Sequence, residues 1–429
     1  MKNSVLDNVI GGFLAFCVAA PALFATASLM ELTGGNNQAV FTGCCLTAGV
    51  VTLLSSSLCR LPVVFVPNVG LVSLFTFTIY FGAGIPRDTA LAVYALSGVC
   101  LLALGLLRLG PALLRATPEF LFPAMMAGIG LLLVGTGLRQ AGVLVAHPVT
   151  LVVLGNLAAR APVIAGLGGL AVCVAMAKSA RYPLAIGAAV AAVSGVVLGV
   201  TPVDRALVVP MWGVTGDLPF DPAGLLDTEA LRYLPSILLI VSFETAGVFA
   251  GLRSTFGLND EQAAWMAGRL WIGSGFAALL SPILGVPGPV LGPEGLVGGV
   301  SGSRTRLSGV ITGGLLLISP LIPVLARTFG GGYQVGPDTW LHPLIAPVLV
   351  CAGLQMLAGL RRVDWEQVDQ AIPAGIVCAI TPLTFSIVNG LSLGLIAHAV
   401  IRVVRGDVSG LRPIYAVLIP LLILRYLVL

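Results

Sequence analysis

The sequence predicts an all-α polytopic membrane protein of fourteen spans, arranged as two inverted repeats of seven. Three features point there. The 429-residue chain is 57% hydrophobic and 9% charged, where soluble domains carry roughly 25% charge, and its mean hydropathy is +1.04. Apolar runs of about 18–22 residues, long enough to cross a bilayer, recur along the whole chain. Two of these runs are interrupted by proline and glycine, each the third run of its half.

In order, the expected spans begin with a run from about Val9 to Met30, with a break near Pro21. It is long enough to span and has no small-residue cleavage pattern, so it reads as a span and not as a leader. Runs from about Gln38 to Leu58, Leu61 to Tyr80, Thr89 to Leu107 and Thr117 to Leu138 follow. A polar-punctuated section from Arg139 to Arg160 precedes runs at about Pro162 to Ala177 and Pro183 to Val200. The hydrophilic section from Thr201 to Glu229 holds Asp204, Asp217, Asp221, Asp227 and Glu229, and reads as a linker between halves. The second half offers runs at about Leu231 to Leu252 and Gln262 to Leu280, a broken segment, and Leu307 to Ala326. Trp340 to Leu360, Gln370 to Thr384 and Ile387 to Val404 complete the set, with an apolar tail after them.

The broken tenth segment, Ser281 to Arg306, cannot be one helix. Pro282, Pro287, Pro289 and Pro293 each lack a donor and clash with the preceding helical turn. An extended stretch from about Val286 to Leu291 is expected, then a half-helix with Pro293 in its first turn. The third span repeats the pattern: a β-rich run from Val63 to Val66, then Pro67, Asn68 and Gly70. Paired interruptions of this kind mark a midplane binding site in an inverted-repeat transporter. Irregular backbone survives at that depth only where protein or a water-filled cavity supplies its partners. The competing reading is that the prolines only kink two ordinary helices.

Alternating the spans from an inside N-terminus puts Lys2, Arg60, Arg108, Arg115, Lys178, Arg181, Arg253, Arg304, Arg306, Arg361, Arg362, Arg402, Arg405 and Arg412 inside. Arg87, Arg139, Arg160, Arg205, Arg232 and Arg327 fall outside. The excess favours both termini in the cytoplasm. Seven spans before the linker then make the second half enter inverted.

Two carboxylates fall at depth. Glu244 sits within LPSILLIVSFETAGVFAGL, and Glu294 heads the tenth half-helix. An ionised carboxylate at the bilayer centre costs about 2.5–3.5 kcal/mol, so each is a candidate functional residue. The alternative is a protonated carboxyl bonded to a neighbouring helix. Because burial disfavours the charged form of a carboxyl, both are also candidates for proton coupling. Asn68 either caps the third half-helix or faces substrate. Arg269 lies within a span and either snorkels or pairs across the bundle. The eight cysteines show no CxxC or Cys/His spacing and read as packing residues, so no metal or other cofactor is expected. No HExxH motif or Ser/His pair supports an enzyme, and nothing points to nucleic acid.

The segment VDWEQVDQAIPAGIVCAITPLTFSIVNGLSLGLIAH (Val363 to His398) resembles the C-terminal signature of the guanine/hypoxanthine (azaguanine-resistance) branch of the nucleobase–ascorbate transporter superfamily. SFETAGVFAGL resembles that family's eighth-span motif, EGLVGGVSGSRTRLSGVITG its tenth-span motif, and PVVFVPNVGL its third-span motif. The likeness runs from about Ala39 onward. It implies a core of spans one to four and eight to eleven (1–115 and 231–328). It also implies a gate of spans five to seven and twelve to fourteen (116–200 and 329–410), with a linker at 201–230 and the tail at 411–429. It implies proton-coupled symport of a purine-like nucleobase or a related planar, N–H-rich heterocycle, by elevator-type movement, with Na+ as the alternative coupling ion. A homodimer in the bacterial inner membrane is implied too. Glu244 would accept ring N–H bonds, and Glu294 would do the same or carry the proton. Thr245, Asn68, Val69, Gly292 and Gly295 complete the expected substrate site.

The tenth-span stretch departs from the family pattern. Ser/Thr residues, often with an aromatic, usually precede the glutamate there; this chain has VPGPVLGP. An alternative of the same fold is an anion exchanger of the sulfate or bicarbonate type, since facing half-helix N-termini favour anions. A fixed charge on Glu294 opposes it.

Overall fold

The computed structural model describes residues 5–107, 118–200, 221–321, 333–336, 339–384, 386–407, 419–420 and 422–423. Residues 201–220 of the expected linker and most of the 411–429 tail lie outside the described residues.

Helices dominate. The first half holds α1 (Val5–Glu31), α2 (Asn37–Cys59), β1 (Phe65–Pro67) and α3 (Val69–Ser73), which continues as a π-helix over Leu74–Gly82. Then come α4 (Arg87–Leu106), α5 (Leu121–Gln140), β2 (Leu144–His147), β3 (Leu151–Leu154), α6 (Arg160–Ala177) and α7 (Pro183–Val197). A helical turn at Thr228–Leu231 leads into α8 (Leu234–Phe256), followed by α9 (Asp260–Ile283), β4 (Pro289–Leu291), α10 (Glu294–Val300) and α11 (Arg306–Ile318). The hairpin strands β5 (Tyr333–Gly336) and β6 (Thr339–Leu341) precede α12 (Ala346–Met356), α13 (Val368–Thr384) and α14 (Ile387–Val404). Among the described residues, seven helices are long and apolar enough to cross a membrane. They are α1, α2, α4, α5, α6, α8 with its preceding turn, and α14.

Five sequence expectations need correction. Pro21 does not break the first span: α1 runs unbroken past it. A proline removes one hydrogen bond, and neighbouring helices and local adjustments accommodate the freed group. Here the surrounding residues Ala19, Ala20 and Leu23 are fully buried. Pro282, expected to interrupt the tenth segment, lies inside α9, which runs to Ile283. The section from Arg139 to Arg160, which the sequence leaves unassigned, is partly strand. It contains the hairpin β2–β3, paired from Leu144↔Leu154 to His147↔Leu151. The twelfth run does not begin as helix at Trp340, which lies in β6; helix starts at Ala346 and gives way to a 3₁₀ stretch at Leu357–Arg362. Pro293 stands at the N-cap of α10, not within its first turn.

The centre of the fold is a two-stranded ribbon. β1 and β4 pair antiparallel, with Phe65↔Leu291, Val66↔Val290 and Pro67↔Pro289 in register. All six residues are buried. Pro67 and Pro289 face each other and neither has an N–H to donate, so the ladder stops there. Because the strands run oppositely, α3 and α10 start from opposite ends of the same ribbon. Side chains of the surrounding helices bond further backbone groups in the ribbon and at its ends. The Phe65 N–H donates to Thr52 Oγ1 at 2.9 Å, and the Thr52 hydroxyl donates to the Phe65 carbonyl at 3.3 Å. Ser56, one turn along the same face of α2, donates to the Val63 carbonyl. Tyr94 of α4 donates to the Gly288 carbonyl at 3.2 Å.

Helices α1, α2, α4, α9, α10 and α11 pack mainly among themselves and against the ribbon. Helices α5, α6, α7, α12, α13 and α14 pack mainly with one another. α8 lies between the two groups, touching α4, α9, α10 and β4 on one side and α5 and α14 on the other. Close helix approach depends on missing side chains. At the α4–α9 crossing a Cβ on Gly98 would lie 2.9 Å from the Gly275 carbonyl oxygen, and the reverse distance is also 2.9 Å.

Candidate functional site

The site is built where the ribbon meets α8 and α10. Glu294 is the first residue of α10, fixed there because Pro293 ends the extended segment at the N-cap (φ −70°, ψ −6°). Its Oε2 is buried and has no hydrogen-bond partner among the described residues. The carboxylate folds back over Gly292, where a Cβ would lie 2.0 Å from Oε2 and 2.5 Å from Val66 Cγ2. The Gly292 N–H is used within the fold, donating to the Val64 carbonyl at 2.9 Å and extending the ribbon by one bond. Gly295 allows a close backbone passage: a Cβ there would meet the Pro62 carbonyl oxygen at 2.6 Å. α10 therefore lies directly on the chain entering β1.

Glu244 sits in the middle of α8 and is 4% exposed. Helical spacing puts it on one face with Gly247 and Gly251. Gly251 is pressed against α10, since its Cβ would lie 2.7 Å from Leu296 Cδ1. The helices bearing the two carboxylates thus pack directly on each other. Thr245 faces elsewhere. Its hydroxyl lies 3.0 Å from Ser274 Oγ, tying α8 to α9.

Asn68 is the N-cap of α3, and its Oδ1 accepts the Leu71 N–H at 2.9 Å. The capping role is therefore present in the structure. Val69 follows it and is 43% exposed. Arg269 folds onto Trp265, its guanidinium carbon 3.5 Å from the ring centroid.

Sequence reasoning missed the opposing wall. Met125 of α5 and Ile387 of α14 sit on Gly247, with Ile387 Cγ2 at 2.4 Å and Met125 Cε at 3.3 Å from the position a Cβ would take. Nothing in the sequence distinguishes them from other core residues. Thr52 and Ser56 did have a signal, two hydroxyls four residues apart in an apolar run. Beyond Gly247, a cleft of about 750 Å³ opens between the end of α8, the start of α5 and the α12–α13 connection, lined by Phe122, Pro123, Ala250, Arg253, Ser254 and Arg362 among others. No cluster of three or more His, Cys, Asp or Glu residues able to hold a metal occurs among the described residues.

A bundle of apolar helices around a buried ribbon, with two carboxylates beside the broken helices, defines an integral membrane transporter. The chain belongs to the Permease family (Xan_ur_permease), which matches residues 13–393. It is similar to the guanine/hypoxanthine permease PbuG of Bacillus subtilis, with 27% identity covering 100% of this chain and 97% of that one. It is also similar to the adenine permease AdeP of Escherichia coli, with 26% identity over 97% of this chain and 92% of that one. Among solved structures, the transmembrane domain of the cyanobacterial bicarbonate transporter BicA superposes with a TM-score of 0.51 and 16% identity. That match covers 93% of this chain and 98% of the other. The murine Slc26a9 anion transporter in its inward-facing state gives 0.51 and 13%, covering 95% and 69%. At these identities the structural likeness shows the fold alone.

Proposed function

We propose that the protein imports a nucleobase, or a related planar N–H-rich heterocycle, with protons as the coupling ion. The observation that carries this is the Glu294 carboxylate, held at the start of α10 with Oε2 buried and without a partner among the described residues. A carboxylate accepts hydrogen bonds only, and two of its lone pairs can read the N–H edge of a flat ring. The names of the relatives, adenine and guanine/hypoxanthine permeases, support the same reading. Glu244 is the second acceptor, on the helix packed against α10. Substrate binds between the two carboxylates, and the group around the ribbon acts as a core that moves against the α5–α7 and α12–α14 gate. The full proposal is fourteen spans in two inverted repeats, both termini cytoplasmic, and a homodimer.

Uptake of radiolabelled adenine, guanine and hypoxanthine by cells expressing the protein tests the reading. Glu244→Gln is expected to abolish uptake; wild-type rates in that variant would remove the assignment. The second reading, anion exchange, is favoured by the bicarbonate and anion transporters that share the fold. The buried carboxylate of Glu294 works against it, since it would repel an anion while charged. Displacement of bound heterocycle by sulfate or bicarbonate would support the anion reading.

A further inference from the structure

We infer that Ile387 and Met125, closing on Gly247, form an apolar barrier between the Glu244 site and the cleft at the end of α8. The inference rests on the reading that substrate meets Glu244.

Positions 244, 247 and 254 on one face of α8 carry the argument. Glu244 comes first. Gly247 follows on the same face, and there Ile387 and Met125 fill the space a side chain would occupy. Both are fully buried, at 2% and 1% exposure. Ser254, two turns further along that face, lines the cleft together with neighbouring Ala250. A solute leaving Glu244 for the cleft along this face therefore meets Ile387 and Met125 first, at Gly247, before it reaches Leu296 of α10 against Gly251. Phe122 and Pro123 of the cleft wall lie on the same end of α5 as Met125, so the barrier is the inner end of that wall.

The chemistry of the pair suits a gate. Neither side chain has a polar group, so the constriction offers water no partner and excludes it, as hydrophobic gates do. Protons would be barred from Glu244 along with water. Opening breaks no hydrogen bond of either side chain. Met is unbranched and adapts readily. Ile387 is the first residue of α14, just after the N-cap Ser386, whose Oγ accepts the Asn389 N–H at 3.3 Å. Gly247 is what allows this closure, because any side chain there would hold the pair apart.

The test measures how fast a membrane-impermeant thiol reagent reaches a cysteine, read by peptide mapping of the full-length protein in sealed vesicles of both orientations. Ser254→Cys reports the cleft and shows which face it opens to. Glu244→Cys reports the site. Expected from that face are fast labelling at position 254 and slow labelling at 244. Adding Ile387→Ala or Met125→Ala to Glu244→Cys should speed labelling about tenfold, as when a buried aliphatic contact no longer favours the closed population. Ile387→Leu should leave it slow. The inference falls if Glu244→Cys already labels as fast as Ser254→Cys, or if it stays slow in both alanine variants while both elute as folded protein. A Glu244→Gln protein that imports normally would remove the transport reading and leave these rates untouched.

Discussion

Glu294 and Gly292 are mutually dependent: a Cβ at position 292 would lie 2.0 Å from Glu294 Oε2. Gly292 does not have a positive φ, so its role is space and not backbone freedom. Gly292→Ala is expected to push the carboxylate off its seat. Uptake should fall at least about tenfold, equivalent to roughly 1.4 kcal/mol of lost transition-state binding. In a double-mutant cycle, Gly292→Ala should cost little further in a Glu294→Ala background, because both changes remove one interaction. Additive losses would mean that Gly292 acts through Val66 alone.

Glu294→Gln addresses coupling. The amide keeps the size of the carboxyl but cannot exchange its proton. If Glu294 carries the coupling proton, residual uptake by this variant should no longer respond to a protonophore or to a change in external pH. Uptake that still collapses with the protonophore would assign the proton to another group. Uptake that instead tracks a sodium gradient would replace the proton altogether.

Thr52→Val tests what holds the ribbon. The Thr52 hydroxyl accepts the Phe65 N–H and donates to the Phe65 carbonyl. Valine keeps the shape and removes both bonds, leaving buried backbone groups unsatisfied at a cost of about 1–3 kcal/mol. A lower melting temperature of the purified protein is expected, with Thr52→Ser close to wild type. Equal melting temperatures for Val and Thr would show that the ribbon does not depend on this hydroxyl.

The broken segments were legible because several prolines and glycines crowded into one apolar run leave a helix too few hydrogen bonds to continue. Pro67, Pro289 and Pro293 therefore located both strands and the start of α10. Pro21, Pro282, Pro373 and Pro382 show the limit of that rule, since all four lie within helices that continue past them. The hairpin β2–β3 stayed hidden because its two strands are four residues each and joined through His147, Pro148 and Thr150, too short a pattern for alternation to show. Glu244 and Glu294 stood out as charges at depth, but their shared interface through Gly251 and Leu296 did not, because close packing between distant segments leaves no local mark. The same holds for Met125 and Ile387. Asn68 could be read either as cap or as ligand, and the Leu71 N–H bonded to its Oδ1 shows that it caps α3.

Asp7 and Arg181 supply the last prediction. Arg181, in the α6–α7 connection, donates its Nε to Asp7 Oδ1 at 3.2 Å and a terminal nitrogen to Oδ2 at 3.1 Å. Asp7 lies in the first turn of α1 and is buried, while the Arg181 side chain is half exposed. The hydrogen bonds to Asp7 hold the guanidinium above its ordinary pKa. α1 belongs to the group around the ribbon and the α6–α7 connection to the other group. If the two move against each other during transport, this bidentate pair must loosen or shift once per cycle. Its strength then biases which arrangement is populated, not how tightly substrate binds. Asp7→Asn and Arg181→Ala should each change the maximal uptake rate, and move the half-saturating concentration only as far as the binding-competent population shifts. Arg181→Ala should be the more disruptive, because it leaves a buried carboxylate short of its two-pronged donor. Restoring a pair with Asp7→Arg and Arg181→Asp together should recover part of the rate. A change confined to the half-saturating concentration would tie the pair to substrate binding and would count against relative movement at this contact.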